Sequence, residues 1–132
     1  MLNNNADFDI NVGEGQWGEN LLVKILQDNG DKIEVKTDYV WQHTGNIYVE
    51  YECFYIRAGQ DKPSGLSVSK SDYYAFVLPW SNREPIIKII PTELLKKVVK
   101  EKGKERECLN TKNPSKGYII KLKDIEDFMR RQ

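Results

Sequence analysis

Lys32 to Phe54, KIEVKTDYVWQHTGNIYVEYECF, is the stretch on which the fold turns. In its first seven residues Ile33, Val35 and Thr37 project one way and Glu34, Lys36 and Asp38 the other, which is the period of a strand. Its last eight, Ile47 to Phe54, are rich in β-branched and aromatic residues and alternate in the same manner. Ile47, Val49, Tyr51 and Cys53 form one row, and Tyr48, Glu50, Glu52 and Phe54 the other. A polar turn around His43-Thr44-Gly45-Asn46 lies between the two strands, and this predicts that they pair antiparallel.

Upstream, Gly13 to Asp28 reads as a helix stopped at Asn29-Gly30, with Leu22, Val23, Ile25 and Leu26 as its apolar stripe. Glu19 stands at the edge of the inward face, an unusual place for a carboxylate. Downstream, Gly59 to Gly65 is loop by its Gly, Pro and Ser content, Ser67 to Tyr74 reads as a short serine-capped helix, and Ala75 to Leu78 as a strand closed by Pro79. A further strand is expected over Pro85 to Ile90, and a long helix from Pro91-Thr92-Glu93 with Leu94, Leu95, Val98 and Val99 on its buried face. Residues 102–116 read as a polar, lysine-rich loop, Tyr118 to Leu122 as the last strand, and Asp124 to Arg131 as a closing helix. The order predicts an α/β domain over residues 13–132, a mixed central β-sheet flanked by helices, behind a flexible segment 1–12.

A chain of 132 residues closes one hydrophobic core without staples. With 39% hydrophobic and 30% charged residues and a mean hydropathy of −0.62, it has the composition of a globular protein, not of a disordered or membrane chain. The first residues are polar and acidic, without a basic or apolar leader, so a cytoplasmic protein is expected. Cys53 and Cys108 form no C-x-x-C pair and are expected to be reduced structural thiols. The formal net charge is zero but unevenly spread: residues 1–90 hold 8 basic and 13 acidic side chains, and 91–132 hold 12 basic and 7 acidic. A basic half can track a phosphate backbone while an acidic half holds cations, although a solvated helix end over Lys96 to Arg106 gives the same count.

The i, i+2 spacing of Glu50 and Glu52 puts both on one face of a regular strand, and a hairpin connection brings Asp38 close to them. With Glu19 this gathers up to four carboxylates, a crowd that calls for a cation and suits Mg²⁺ or Mn²⁺. Such a metal lowers the pKa of a bound water and neutralises charge on a phosphodiester. Lys36 shares the face of Asp38, where it orients or deprotonates water, opposes the charge of the transition state, or simply pairs across the strands with Glu50 or Glu52. The plainer alternative has Glu50 and Glu52 facing solvent on a half-exposed sheet. Glu34-x-Lys36 with Asp31 offers a second acid-acid-lysine arrangement, disfavoured because Asp31 and Glu34 are only three residues apart.

A helix bearing Glu19, then Asp38, then Glu50-Tyr51-Glu52, resembles the metal site of the PD-(D/E)XK nuclease superfamily. The strings EVKTDYVWQHTGNIYVEYE and KPSGLSVSKSDYYAFVLP are similar to small phage-type and resolvase-like members, and the likeness runs over roughly Gly13 to Pro79. It implies a restriction-endonuclease-like fold, Asp38 and Glu50 as ligands of Mg²⁺ (or Mn²⁺), Glu19 as a further helix-borne acid, and hydrolysis of DNA phosphodiesters. The final lysine of the family pattern falls on Glu52, which leaves Lys36 to supply the ammonium, or leaves a nuclease-fold module that binds nucleic acid or a protein without cutting. Two-strand cutting by so small a domain is easiest in a homodimer.

His43 reads as a solvated turn residue. Ser69 and Lys70, after Pro63-Ser64-Gly65, stand where helix-end amides receive phosphate, with capping and surface charge as the alternatives. Trp17, Trp41 and Trp80 can stack on unpaired bases or pack in the core. Lys96 to Arg106 offers phosphate contacts suited to structure-selective binding.

Overall fold

In the computed structural model, residues 24–55, 57–109 and 113–132 are described. Residues 24–28 are helical and end at Gly30 in the left-handed region (φ +88°), as the Asn29-Gly30 stop predicts. The remainder of the expected first helix, with Glu19 and Trp17, and the segment 1–12 lie outside the described residues.

The chain continues through β1 (Ile33–Thr37), α1 (Trp41–Thr44), β2 (Asn46–Tyr55), β3 (Gln60–Pro63) and a 3₁₀ turn at Gly65–Ser67. It then forms β4 (Tyr73–Trp80), β5 (Arg83–Pro91), α2 (Thr92–Lys102), β6 (Lys104–Cys108), β7 (Ser115–Lys121) and α3 (Leu122–Arg130). The architecture is mixed α/β, but the strands divide into two sheets, β1-β4-β5 and β3-β2-β7-β6. The expected pairing of β1 with β2 does not form. β1 runs parallel to β4, with Glu34 beside Tyr74 and Lys36 beside Phe76, and β2 lies antiparallel to β3 and β7.

The reason lies in the connection. The presumed turn is a helical anchor whose Trp41 is buried, donates its indole N–H to the Pro79 carbonyl at 2.9 Å and meets Trp80 edge-on at 4.5 Å. That contact pins the chain to the end of β4, and β2 departs from there into the second sheet. Gly45, at φ +75°, ends α1.

Four further expectations change. Gly59 to Gly65 is not all loop, because Gln60–Pro63 forms β3 along β2. The helix read over Ser67 to Tyr74 is only the 3₁₀ turn at Gly65–Ser67, and β4 begins at Tyr73. Pro79 does not end that strand but sits at a register irregularity between Leu78 and Trp80. Residues 102–116 are not one loop, because KEREC at Lys104–Cys108 forms β6 along β7. β3 and β6 are the outer strands of their sheet and carry mostly exposed polar side chains, which fits positions with one free edge.

One core joins the layers. Tyr74, Phe76, Leu78 and Ile90 from the first sheet meet Ile47, Val49 and Ile120 from the second, with Leu95, Val98 and Val99 of α2 and Ile125 and Phe128 of α3. Burying each large aliphatic or aromatic side chain is worth roughly 1.5–3 kcal/mol. The side of β2 that carries Ile47 and Val49 is thereby committed to packing, and the side that carries Tyr48 and Glu50 is left to form a cleft.

Candidate functional site

Asp38 follows β1 directly, and its carboxylate gathers three backbone amides. Oδ1 accepts from Val40 N (3.0 Å) and Trp41 N (3.2 Å), and Oδ2 from Tyr48 N (3.0 Å). The first two bonds satisfy donors at the entrance of α1. The third crosses to β2 in the other sheet, so Asp38 ties the sheets together two residues before Glu50. The expected proximity of Asp38 to β2 is present, through a carboxylate clip instead of a hairpin.

Glu50 is held from the other side. Ser64 donates its hydroxyl to Oε2 at 2.8 Å, and Gly65 packs against the Glu50 carbonyl so closely that a Cβ there would lie 2.2 Å from that oxygen. Gly65 also has φ +50°, so both conformation and space demand glycine. Ser64 is itself buried. The Pro63-Ser64-Gly65 motif thus forms a bracket for Glu50. Sequence reasoning placed the interest of this region on Ser69 and Lys70, and the recurrence of a small polar residue and a glycine before them was the available signal.

The shared face expected for Glu50 and Glu52 is broken by a bulge. Glu50 pairs with Gly117 and Glu52 with Lys116, leaving Tyr51 as the extra residue. Because directly paired residues share a face and neighbours on β7 alternate, Glu50 and Glu52 come to lie on opposite sides of the sheet. Glu52 faces Lys116 at 3.8 Å, and Lys36 pairs with neither of them but with Glu34 of its own strand at 3.4 Å. Tyr51 donates to Glu105 at 3.1 Å and packs on Tyr118. Burial pushes the Tyr51 phenol up to about 12, with the Glu105 hydrogen bond and charge adding to it.

Lys36, Asp38 and Glu50 line one cleft of about 740 Å³ between the end of β1 and the open face of β2, β7 and β6. Arg106 of β6 lines it too, a cation that sequence reasoning assigned only to a diffuse basic stretch. A smaller hollow of about 370 Å³ near α3 holds none of these residues. Tyr74 lies in the inner wall of the main cleft, 2% exposed, and its hydroxyl is buried without a hydrogen-bond partner. Burial raises its pKa; the nearby Ser69 hydroxyl works against this, and the charges of Glu34 and Glu50 add to it. Ser69 bonds to Ser71 instead, so Tyr74 keeps its donor unused. Tyr48, on the open face, bonds through its hydroxyl to buried Ser115 at 2.8 Å, and burial raises its phenol as well.

The remaining candidates fall elsewhere. Lys70 is exposed outside the cleft, with no helix starting at it, which removes the helix-end phosphate reading; Ser69 is half-buried. His43 is exposed on α1. Trp41 and Trp80 pack on each other, with Arg83 over the Trp80 ring at 5.5 Å. Cys53 and Cys108 are free thiols that both register with Ser115, from opposite sides of β7.

Among the described residues, no three His, Cys, Asp or Glu side chains converge to hold a metal ion. The cleft is lined by three carboxylate residues, Asp38, Glu50 and, from β6, Glu107, of which Asp38 and Glu50 are the expected ligands. Mg²⁺ commonly takes one or two carboxylates and completes its shell with water and phosphate oxygens, so the donor chemistry fits even though a full protein cage is absent among these residues. No helix among the described residues is long and apolar enough to cross a membrane. Comparison of the chain with protein-family models, curated proteins and solved structures gives no match.

Proposed function

We propose that the chain is a Mg²⁺- or Mn²⁺-dependent DNA endonuclease with a restriction-endonuclease-like fold and a PD-(D/E)XK-type site. The observation that carries this reading is the meeting of Lys36, Asp38 and Glu50, from two different sheets, in one cleft with Arg106. Asp38 and Glu50 are the carboxylates that would hold the metal, which when bound supplies an acidified water and neutralises phosphate charge. Asp38 is oriented by three amides and Glu50 by Ser64, so neither carboxylate has to be ordered at the moment of reaction. Lys36 and Arg106 face the negative charge that grows on the phosphorane oxygens. Glu19, outside the described residues, remains a proposed further acid. Glu52 drops out of the reacting group because its side chain faces Lys116 across the sheet. The substrate is DNA selected by structure instead of base sequence, and a homodimer would place two such clefts across a duplex or junction.

The test is cleavage of a panel of branched and linear DNAs with Mn²⁺ or Mg²⁺. Glu50→Gln is expected to abolish cleavage while leaving the unfolding midpoint in place, and unchanged cleavage in that variant removes the assignment. A second reading, a binding module that does not cut, is favoured by Glu52 standing in the position of the pattern's lysine and pairing with Lys116 at 3.8 Å. It predicts metal-independent affinity for nucleic acid and no cleavage of any substrate in the panel.

A further inference from the structure

The rim of the cleft is unlike its interior. Tyr39 is 68% exposed, Val40 62% and Leu109 65%, and all three line the cleft that carries the cations Lys36 and Arg106 beside the carboxylates Asp38, Glu50 and Glu107. Single exposed apolar residues are ordinary on a protein surface, but three of them around one charged cavity form a patch that marks a binding site. Tyr39 directly follows Asp38, whose carboxylate is fixed by three amides, so its ring is presented from a rigid base. The inner wall adds the Tyr74 hydroxyl, the buried side-chain polar atom left without a hydrogen bond among the described residues. Leaving such a donor unmatched is costly, and an acceptor on a ligand satisfies it after a small side-chain shift.

A ligand that satisfies all of these features is anionic at one part and flat and apolar at another. We propose that the cleft receives an unpaired nucleotide of a single strand, with its phosphate between Lys36 and Arg106 and its base against Tyr39, Val40 and Leu109. The proposal rests on the phosphodiesterase reading and narrows its substrate to single-stranded or locally unpaired nucleic acid. Size agrees, since about 740 Å³ lies in the range of pockets that enclose a small molecule and is enough for a nucleotide. Chemistry agrees as well. In a duplex the faces of the bases are stacked on one another, and only their edges reach the grooves, so an exposed aromatic rim gains a face-on contact only when a base is free. Tyr74 serves as a donor, because a phenol is neutral near pH 7 and burial shifts its pKa only further upward.

The experiment measures anisotropy of a short fluorescein-labelled oligo(dT), and of a blunt duplex of the same length, both with nuclease-resistant phosphorothioate linkages and with Mg²⁺ present, so that the charges of Asp38 and Glu50 are met without cutting. The full chain is expected to bind oligo(dT) more tightly than the duplex. Tyr39→Ala should weaken oligo(dT) binding roughly 5- to 150-fold, the equivalent of ~1–3 kcal/mol for one stacked base, while Tyr39→Phe keeps it and duplex binding stays unchanged. Tyr39 is exposed, so these variants are expected to fold, and their circular dichroism is compared with that of the parent. Failure to bind oligo(dT), equal binding of duplex, or indifference to Tyr39→Ala each overturns the inference. Mn²⁺-dependent cleavage, assayed separately, tells the two claims apart. The binding pattern without cleavage removes the nuclease reading and keeps this one, and cleavage without single-strand preference does the reverse.

Discussion

Replacing Asp38 by Asn should disturb the fold before it disturbs any chemistry. The carboxylate accepts from Val40 and Trp41 on one oxygen and from Tyr48 on the other. Asn keeps an oxygen for the first pair but turns an NH₂ toward the Tyr48 N–H, donor against donor. Leaving a buried donor unmatched costs about 1–3 kcal/mol, and since this site is half-buried about 1–2 kcal/mol is expected. Asp38→Ala also loses the helix-entry bonds, worth a further ~0.5–2 kcal/mol, for a total of roughly 2–4 kcal/mol. With a urea slope of about 2 kcal/mol/M, Asp38→Asn moves the unfolding midpoint down by ~0.5–1 M. Glu50→Gln should move it far less, because Gln retains an oxygen for the Ser64 hydroxyl. Equilibrium urea unfolding of the three variants measures this order. If Asp38→Asn unfolds at the parent's midpoint, or if Glu50→Gln is the more damaging, the clip between the sheets does not exist as described. The order also decides how activity is read: lost cleavage in Asp38→Asn has two sufficient causes, and lost cleavage in Glu50→Gln has one.

Gly65→Ala must both populate the left-handed region and clear the Glu50 carbonyl, so it should cost roughly 2–5 kcal/mol by denaturant unfolding; a parent-like midpoint would dissolve the bracket around Glu50. Trp41→Phe removes the donor to the Pro79 carbonyl and should lower stability by about 1–3 kcal/mol in the same assay, with no loss if that anchor is incidental. Tyr51 titrates at about 12 when folded against an ordinary 10.0, so the fold favours the neutral phenol. That contribution is complete below pH 10 and is lost as pH climbs through 10 to 12. In an ultraviolet pH titration Tyr51→Phe should delete the highest step and soften the alkaline fall in stability, and a titration identical to the parent's would contradict it.

Most of the strands and the two long helices are legible, because β1 and β2 alternate cleanly and α2 and α3 carry apolar stripes. What escaped was partnership. Alternation along Lys32 to Asp38 says which side chains share a face and nothing about the neighbour, and Trp41, a single buried indole, diverts the chain to another sheet. The Glu50 and Glu52 pair shows a second limit. The rule of two holds only while the ladder is regular, and one surplus residue at Tyr51 reverses it without any Gly or Pro within β2 to announce the change. β6 was invisible because an outermost strand made of Lys, Glu and Arg has no apolar row to read. Asp38 and Glu50 were recognisable as candidates, whereas Arg106, Tyr74 and Ser64 reach them only through pairings and loops that the sequence does not announce.

The placement of the two cysteines has a practical outcome. Both register with Ser115, so their backbones stand two interstrand steps apart, roughly 10 Å, beyond the span an S–S bond bridges. Air oxidation therefore cannot staple one thiol to the other within the folded chain. Cys108 borders the cleft and Cys53 does not, so in a Cys53→Ser background a maleimide dye on Cys108 becomes a reporter whose brightness follows occupancy in real time.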